Sequence, residues 1–209
     1  MGSSDSPPTL VLASSSPWRR ALCEQVGLSV VAMAPRCDEE RITAADPVSL
    51  ALARARAKAE SLAQEGTVVI GADQVCHLGE RVFHKPKDHA EHRAQLRELR
   101  GRTHRLTDGV VILGPGGADE LVVFADVTLR ADLTDDEIER YVASGDAEGC
   151  AGGYRAEGPG AWLVDRIVGD GFTVVGLPLY EVLRTLRLRG WRRGGSRLMS
   201  AALPHGSQA

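Results

Sequence analysis

The sequence lacks the features that mark several large classes of protein. Its four cysteines, Cys23, Cys37, Cys76 and Cys150, form no C-x-x-C pair, which argues against a disulfide framework or a zinc knuckle and fits a reducing compartment. No segment approaches the roughly 18 apolar residues of a membrane helix, and the N-terminus lacks the layout of a secretion signal. We therefore expect a cytoplasmic protein with no membrane partner.

The chain also lacks an excess of charge of either sign. Its 209 residues include 25 basic and 28 acidic side chains, and the formal net charge is −3. No overall attraction to nucleic acid is therefore expected, and we predict no stable nucleic-acid partner. Hydrophobic residues make up 43% of the chain, enough for a proper core in one domain or two lobes. Function is expected to depend on local sites.

The segment LVLASSSPWRR, at residues 10–20, begins the organised part of the chain. Its apolar run is typical of a buried strand, and Ser16 followed by Pro17 predicts the start of a helix. Arg19 and Arg20 fall in the first turns of that helix, beside its unpaired amides and positive dipole end. Because arginine forks match phosphate oxygens, the pattern indicates a polyphosphate site. An ordinary strand-to-helix corner with two solvated arginines is the alternative.

Further along the chain, strands and helices alternate. Helices are predicted at residues 17–27, 47–66, 88–100, 134–142 and 179–188, and strands at residues 28–33, around 68–70 and in a hairpin at 103–129. This order predicts a mixed sheet in an α/β protein. The segment 148–164 contains too much glycine for a regular element, and such glycines either allow close approach to a ligand or mark a bulged strand.

Several charged or titratable residues are candidates for function. Asp73 is expected at the end of a buried central strand, where open α/β sheets tend to place chemistry, although a cap or turn role is the alternative. Lys85 follows as a second candidate charge on the same edge. Lys58, on a highly charged helix, is expected from the local pattern to be a solvated charge. His89 and His92 are three residues apart, but no thiolate or second pair accompanies them, so solvated histidines are expected rather than a metal site.

Seven segments, taken together, resemble the Maf family of nucleotide pyrophosphatases. In chain order they are LASSSPWRR at 12–20, Asp38-Glu39, Lys58, GADQV at 71–75, Lys85-Pro86, AGGY at 151–154 and VVGLPL at 174–179. The resemblance implies a two-lobed α/β fold of the Maf and ITPase-like type, with a long mixed sheet flanked by helices and a deep central cleft. It also implies hydrolysis of a nucleoside triphosphate to the monophosphate and pyrophosphate, a divalent cation (Mg²⁺ or Mn²⁺), and a possible homodimer.

The resemblance further implies roles for individual residues. Phosphate binding is carried to Ser14, Arg19, Arg20, Lys58 and Lys85, and the role of proton acceptor to Asp73. This set suits attack by water at the α-phosphorus, which needs a carboxylate to deprotonate the water and cations to offset the charge of the triphosphate. Glu39 and Asp73 are the candidate metal ligands, because Mg²⁺ and Mn²⁺ prefer oxygen. His84 stands where the family usually has glycine.

Three positions bear on the choice of base. Trp18, Gln74 and Glu157 resemble the branch of the family that acts on 7-methyl-GTP, whereas the pyrimidine branch has arginine, threonine and glutamine there. An indole face can stack on the fixed positive charge of a methylated guanine, and the Glu157 carboxylate can accept from the N–H edge of that base. Trp18 also lies four and eight residues before Leu22 and Val26, a spacing that suits a core residue equally well.

The leading hypothesis is therefore a pyrophosphatase that hydrolyses 7-methyl-GTP and clears modified nucleotides. A dTTP/UTP pyrophosphatase of the same family is one alternative. A nucleotide-binding regulator of septum formation, in which hydrolysis is incidental, is another. Along the chain, we expect a disordered leader at 1–8, a single catalytic domain of two lobes at 9–190 and a flexible tail at 191–209.

Overall fold

The computed structural model of the chain describes residues 8–147 and 149–192. Within these residues, seven strands form one mixed sheet with the order β2-β1-β3-β5-β6-β7, and β4 pairs with β3. The strands are β1 (Thr9–Ala13), β2 (Val31–Met33), β3 (Thr67–Leu78), β4 (Arg81–Phe83), β5 (Thr103–Gly114), β6 (Gly117–Leu129) and β7 (Val164–Gly169). Strands β1, β2 and β3 run parallel, and the other pairings are antiparallel. The predicted α/β class and mixed sheet are confirmed.

Helices flank the sheet, and five of them begin at, or within one residue of, the predicted starts. The α-helices of the described residues are α1 (Pro17–Gln25), α2 (Pro47–Glu60), α3 (His89–Leu99), α4 (Asp135–Ala143), α5 (Gly171–Val175) and α6 (Leu179–Leu188). The side chains of Ser16, Asp46, Asp88 and Thr134 each accept a hydrogen bond from a backbone N–H in the first turn. Such caps satisfy amides that the helix leaves unpaired, which is why these starts could be located from sequence.

Several element boundaries differ from the predictions, and β2 and α2 are two examples. Strand β2 covers only Val31–Met33, not 28–33. Helix α2 ends at Glu60 rather than near residue 66, because Leu62 is buried in the core and the chain turns there towards β3. The Thr67 hydroxyl donates to the Gln64 carbonyl at 2.7 Å and closes that turn.

Helix α2 lies unusually close to the sheet because two glycines face it. A Cβ atom on Gly71 of β3 would overlap the backbone of Ala55, and one on Gly109 of β5 would lie 2.6 Å from the Leu52 nitrogen. Without side chains at these positions, the helix backbone packs directly on the strands. This contact brings the last turns of α2 over the middle of β3.

The core of the other face falls into two clusters that follow each other along β3 and β5. Ala72 and Val110 belong to the first cluster, and Cys76 and Leu106 belong to the second. A polar pair separates them, since Gln74 lies opposite Asp108 in the strand register. On the face that α2 covers, Asp73 interrupts the apolar side chains in the same way, between Val69 and Val75. Both clusters therefore pack on the same sheet, on either side of this polar pair.

The packed part of the chain extends slightly beyond the predicted domain boundary at residue 190. Trp191 is buried in the first cluster, so it is not part of a loose tail. The rest of the predicted tail, 193–209, and residues 1–7 of the predicted leader lie outside the described residues. No helix of the described chain is both long enough and apolar enough to cross a membrane.

Candidate active site

A cavity of about 510 Å³ opens where strand β1 ends. Strand β3 pairs with β1 over Thr67–Gly71 and with β4 over Cys76–Leu78, so in the described chain no strand pairs with Ala72–Val75 on that side. Asp73 lies in this gap and lines the cavity. The prediction that Asp73 ends its own strand is wrong, because β3 continues to Leu78. It is the neighbouring strand that ends.

Lys58 connects two acidic residues of the cavity, Glu39 and Asp73. Its ammonium group lies 2.7 Å from Asp73 Oδ1 and 2.8 Å from Glu39 Oε2. The side chain is 5% exposed, so the expectation of a solvated charge, drawn from the local helix pattern, is wrong. Lys58 faces inwards because α2 packs on Gly71, which places its last turn beside Asp73. Both carboxylates therefore converge on one cationic centre.

The second oxygen of Asp73 is not satisfied within the part of the protein that is described. Asp73 Oδ2 is buried without a hydrogen-bond partner, and the Arg54 guanidinium lies 3.9 Å away. Buried polar atoms are normally paired, so such an oxygen indicates a missing water, ion or substrate group. No group of three His, Cys, Asp or Glu side chains in the described chain could hold a metal ion. Mg²⁺ is commonly held by one or two carboxylates plus substrate phosphates, and Glu39 with Asp73 fits that pattern.

The serine loop before α1 forms another wall. Ser14 is buried, and its hydroxyl accepts from the Ser16 N–H at 3.1 Å. The Arg19 Nε donates to the Gly176 carbonyl at 2.6 Å, which fixes its guanidinium at the cavity. Arg20 points elsewhere: it does not line the cavity, it is 65% exposed, and it pairs with Glu24 at 2.8 Å. Of the two arginines predicted to bind phosphate, the structure therefore brings only Arg19 to the site.

Lys85 reaches the cavity from the segment that follows β4. Cys150 also lines the cavity. Burial raises the pKa of its thiol to about 11, although the nearby Lys85 charge acts in the opposite direction. The thiol is therefore protonated at neutral pH and is a poor nucleophile or metal ligand. His92, predicted to be solvated, is buried and hydrogen-bonds to the Gly153 carbonyl, so its role is to hold the glycine-rich loop.

The three residues that sequence associates with the base also line this cavity. Trp18 is 36% exposed and belongs to no core cluster, so its spacing from Leu22 does not reflect core packing. The Gln74 amide donates to the Thr173 carbonyl at 2.5 Å, which ties β3 to α5. Glu157 lies on the glycine-rich loop that closes the opposite wall.

Sequence reasoning missed Arg155, which contacts two of these residues. Its guanidinium carbon lies 3.6 Å from the centre of the Trp18 ring, and its Nε donates to Glu157 at 3.1 Å. A third contact, 2.9 Å long, joins Nη1 to Asp146. In the sequence, the only indication of these contacts was the two-residue spacing between Arg155 and Glu157. Nothing in the local sequence indicates that this loop folds back onto α1.

Asp108 is a second residue that the sequence did not bring forward. It lies opposite Gln74, fully buried, and neither of its oxygens has a hydrogen-bond partner among the described residues. Burial raises the pKa of this carboxyl well above its usual value, against the opposing charge of Arg19. The neutral acid is thus favoured at this position, opposite the cavity residue Gln74.

Comparison with known proteins shows the family to which this chain belongs. A family model described as Maf-like protein matches residues 9–189. A 7-methyl-GTP pyrophosphatase of Rhizobium johnstonii is 43% identical over 194 residues, covering 88% of this chain and 97% of the relative. A dTTP/UTP pyrophosphatase of Thermus thermophilus is 42% identical over 185 residues, with the same coverage of both chains. A nucleoside triphosphate pyrophosphatase of Bradyrhizobium diazoefficiens is 41% identical over 190 residues, covering 85% of this chain and 92% of the relative. The matched region runs from β1 through α6 and includes every residue placed in the cavity, so the resemblance seen in the motifs is confirmed and this chain belongs to the Maf family.

Proposed function

We propose that this protein hydrolyses 7-methyl-GTP to 7-methyl-GMP and pyrophosphate. Membership of the family makes the chain a nucleoside triphosphate pyrophosphatase, so the open question is the base. The observation that carries the proposal is a single cavity that combines phosphate-binding groups with an indole and a carboxylate. Trp18 and Glu157 line it together with Arg19, Lys58 and Asp73.

The chemistry at the phosphates follows from the charged groups of the cavity. Water attacks the α-phosphorus, a bond forms from its oxygen to phosphorus, and the bond to the bridging oxygen of the β-phosphate breaks, so that pyrophosphate leaves. Asp73 accepts the proton of the water as a general base. Arg19, Lys58 and Lys85 bind the phosphate oxygens and offset charge that develops in the transition state.

A divalent cation would be held by Glu39 and Asp73, the two carboxylates that converge on Lys58. Bound there, Mg²⁺ or Mn²⁺ would supply further neutralisation of the triphosphate charge. Lys58 keeps these two carboxylates close together, since like charges would otherwise repel each other. The position of the ammonium group is therefore important both for the metal site and for the orientation of Asp73.

The choice of base rests on chemistry, since identity does not decide it. Relatives named 7-methyl-GTP pyrophosphatase and dTTP/UTP pyrophosphatase are 43% and 42% identical to this chain, a difference too small to be informative. A methylated guanine is cationic and presents two N–H donors on one edge. Trp18 offers a π face for the charge, and the Glu157 carboxylate accepts from the donor edge, whereas uracil and thymine lack both features.

The test is the ratio of kcat/KM for 7-methyl-GTP over UTP, measured with Mg²⁺ for wild type and for Trp18→Arg with Glu157→Gln. Loss of the stack and of the charge-assisted pair should each lower this ratio by roughly 5- to 150-fold, corresponding to about 1 to 3 kcal/mol per contact. Trp162→Arg is the matched control, because Trp162 is 81% exposed and does not line the cavity. Its ratio should equal that of wild type.

Other outcomes would identify the alternatives. A wild-type enzyme that prefers UTP and dTTP over 7-methyl-GTP belongs with the pyrimidine pyrophosphatases. A protein that binds nucleotides but releases no pyrophosphate over the whole panel is a regulator rather than an enzyme. Asp73→Asn checks the mechanism: it should keep nucleotide binding and lose roughly 100-fold or more in turnover, the scale of general-base removal.

A further inference from the structure

We propose that Arg155 occupies the base subsite of the free enzyme and that the base must displace it in order to bind. This inference rests on the proposed function, because it takes Trp18 and Glu157 as the base-contacting residues. It concerns a different question, however: what fills the space between those two side chains before a nucleotide arrives.

The contacts of Arg155 reproduce those expected of a methylated guanine. The guanidinium is planar and cationic, it lies 3.6 Å from the Trp18 ring centre, and its Nε donates to Glu157 at 3.1 Å. A 7-methylguanine would use the same ring face for its positive charge and the same carboxylate for its N–H donors. One indole face cannot hold both groups, so stacking of the base on that face requires the guanidinium to leave it.

Arg155 has other contacts that hold it when its guanidinium leaves the Trp18 ring. Its Nη1 lies 2.9 Å from Asp146 Oδ1, and that carboxylate is itself held by the Tyr141 hydroxyl, which donates to Oδ2 at 2.9 Å. The Arg155 backbone N–H donates to the same hydroxyl at 3.0 Å. These contacts involve neither Trp18 nor Glu157. The main chain and one edge of the guanidinium can therefore remain fixed while the side chain turns away from the indole.

The flank of the side chain is also lined by glycine. A Cβ atom on Gly158 would lie 3.4 Å from the guanidinium carbon of Arg155, in van der Waals contact, and one on Gly149 would meet nothing within 4 Å. Both glycines belong to the loop that carries Arg155 and closes this wall of the cavity. The absence of a side chain at Gly158 thus leaves space directly beside the guanidinium.

Displacement of Arg155 opposes the binding of any nucleotide whose base enters the subsite. A ligand that consists of phosphates alone does not enter it and meets no such opposition. Replacement of Arg155 by an apolar side chain should therefore raise the affinity for nucleotides, by about 3- to 10-fold for one cation–π contact and one partly exposed ion pair. It should leave the affinity for a polyphosphate unchanged.

The experiment compares Arg155→Met with wild type in binding titrations of the full chain in the presence of Mg²⁺. The ligands are 7-methyl-GMP, which cannot be hydrolysed to pyrophosphate, and inorganic tripolyphosphate. We expect Kd for 7-methyl-GMP to fall by 3- to 10-fold in the variant and Kd for tripolyphosphate to stay the same. Arg93→Met is the matched control, because Arg93 also pairs with a carboxylate, Glu139 at 2.9 Å, but does not line the cavity.

A second variant guards against loss of folding. Asp146 has a side chain that is 10% exposed, so Arg155→Met leaves a buried carboxylate with one fewer partner. Arg155→Lys keeps a positive charge for Asp146 but lacks the planar group that covers the indole and reaches Glu157. If Arg155→Met melts well below wild type, Arg155→Lys is used in its place, with the same expected direction of Kd.

Two results would overturn the proposal: a Kd for 7-methyl-GMP that is unchanged or raised, and a Kd for tripolyphosphate that falls by the same factor. Failure of the proposed function is detected separately, by the wild-type preference for one triphosphate over another. Should the wild type prefer UTP, the titration is repeated with UMP. The effect of the substitution on the preferred nucleotide then tests Arg155, whereas the identity of that nucleotide tests the proposed function.

Discussion

Lys58 and Asp73 form a buried ion pair at the centre of the site, and their coupling can be measured. The ammonium group lies 2.7 Å from Asp73 and 2.8 Å from Glu39, and the side chains of Lys58 and Asp73 are 5% and 9% exposed. Lys58→Met keeps an unbranched side chain but removes the terminal ammonium group and its charge. It leaves the Asp73 carboxylate buried beside Glu39 with no cation between them.

The expected loss of stability follows from this geometry. Removal of one partner from a buried ion pair costs about 3 to 5 kcal/mol. For a domain of this size, each kcal/mol corresponds to roughly 2–4 °C in Tm, so Lys58→Met should melt about 6–20 °C below wild type. Asp73→Asn should cost less, because Lys58 retains Glu39, which is 36% exposed. The double variant should be more stable than Lys58→Met alone, because the buried carboxylate is then absent.

The assay is urea denaturation of wild type, the two single variants and the double variant, which gives a coupling free energy of about 2 kcal/mol or more. Arg20→Met with Glu24→Gln provides a matched control cycle. That pair is also 2.8 Å apart, but its side chains are 65% and 60% exposed, so a coupling of only about 0.3–0.5 kcal/mol is expected. Equal coupling in the two cycles would refute the argument that burial makes the Lys58–Asp73 pair strong.

Three further predictions use single substitutions. Arg19→Ala should lower kcat/KM by about 10- to 100-fold for every nucleotide, since the phosphates are common to all, whereas Arg20→Ala should stay near wild type; equal losses would contradict the placement of Arg20 outside the cavity. Gly71→Ala should cost at least about 1–3 kcal/mol in unfolding free energy, because its Cβ would overlap the backbone of α2; an unchanged melting curve would count against that close contact. Asp108→Asn should stabilise the protein, and the gain should be larger at pH 8 than at pH 4. Burial raises the pKa of the Asp108 carboxyl in the folded state, so the wild-type protein loses stability as the pH rises through the raised value, whereas asparagine does not titrate. A gain that does not change with pH would disprove it.

Features that depend on neighbouring residues in the chain could be predicted from sequence. Ser16 and Thr134 fix helix starts through bonds to amides three residues away, and such bonds need no tertiary structure. The hairpin turn at 114–117, where Gly114 lies opposite Gly117, also depends only on residues that are close together in the chain. The motif resemblance added the family, and with it most of the residues that line the cavity.

Features that depend on packing could not be predicted in this way. Arg54, Arg56 and Lys58 alternate along α2 and look alike in the sequence, yet Arg56 is 42% exposed while Lys58 is 5% exposed. The exposed fractions differ because α2 packs on glycines of strands β3 and β5. Likewise, the contact of Arg155 with Trp18 joins segments far apart in the chain, and only the return of the glycine-rich loop to α1 creates it.

The arrangement of the core explains why the site lies where it does. At one level of the sheet, polar side chains stand in place of apolar core residues on both faces. Asp73 lies on the face under α2, and Gln74 and Asp108 lie on the other face. Asp73 Oδ2 and both oxygens of Asp108 are buried there without hydrogen-bond partners among the described residues. Each unpaired buried polar group destabilises the fold. Apolar side chains at these positions would favour stability alone, so the polar ones indicate that this level of the sheet is built for chemistry. There Asp73 reaches the cavity, where a metal ion, a water molecule or the triphosphate can bind its unpaired oxygen.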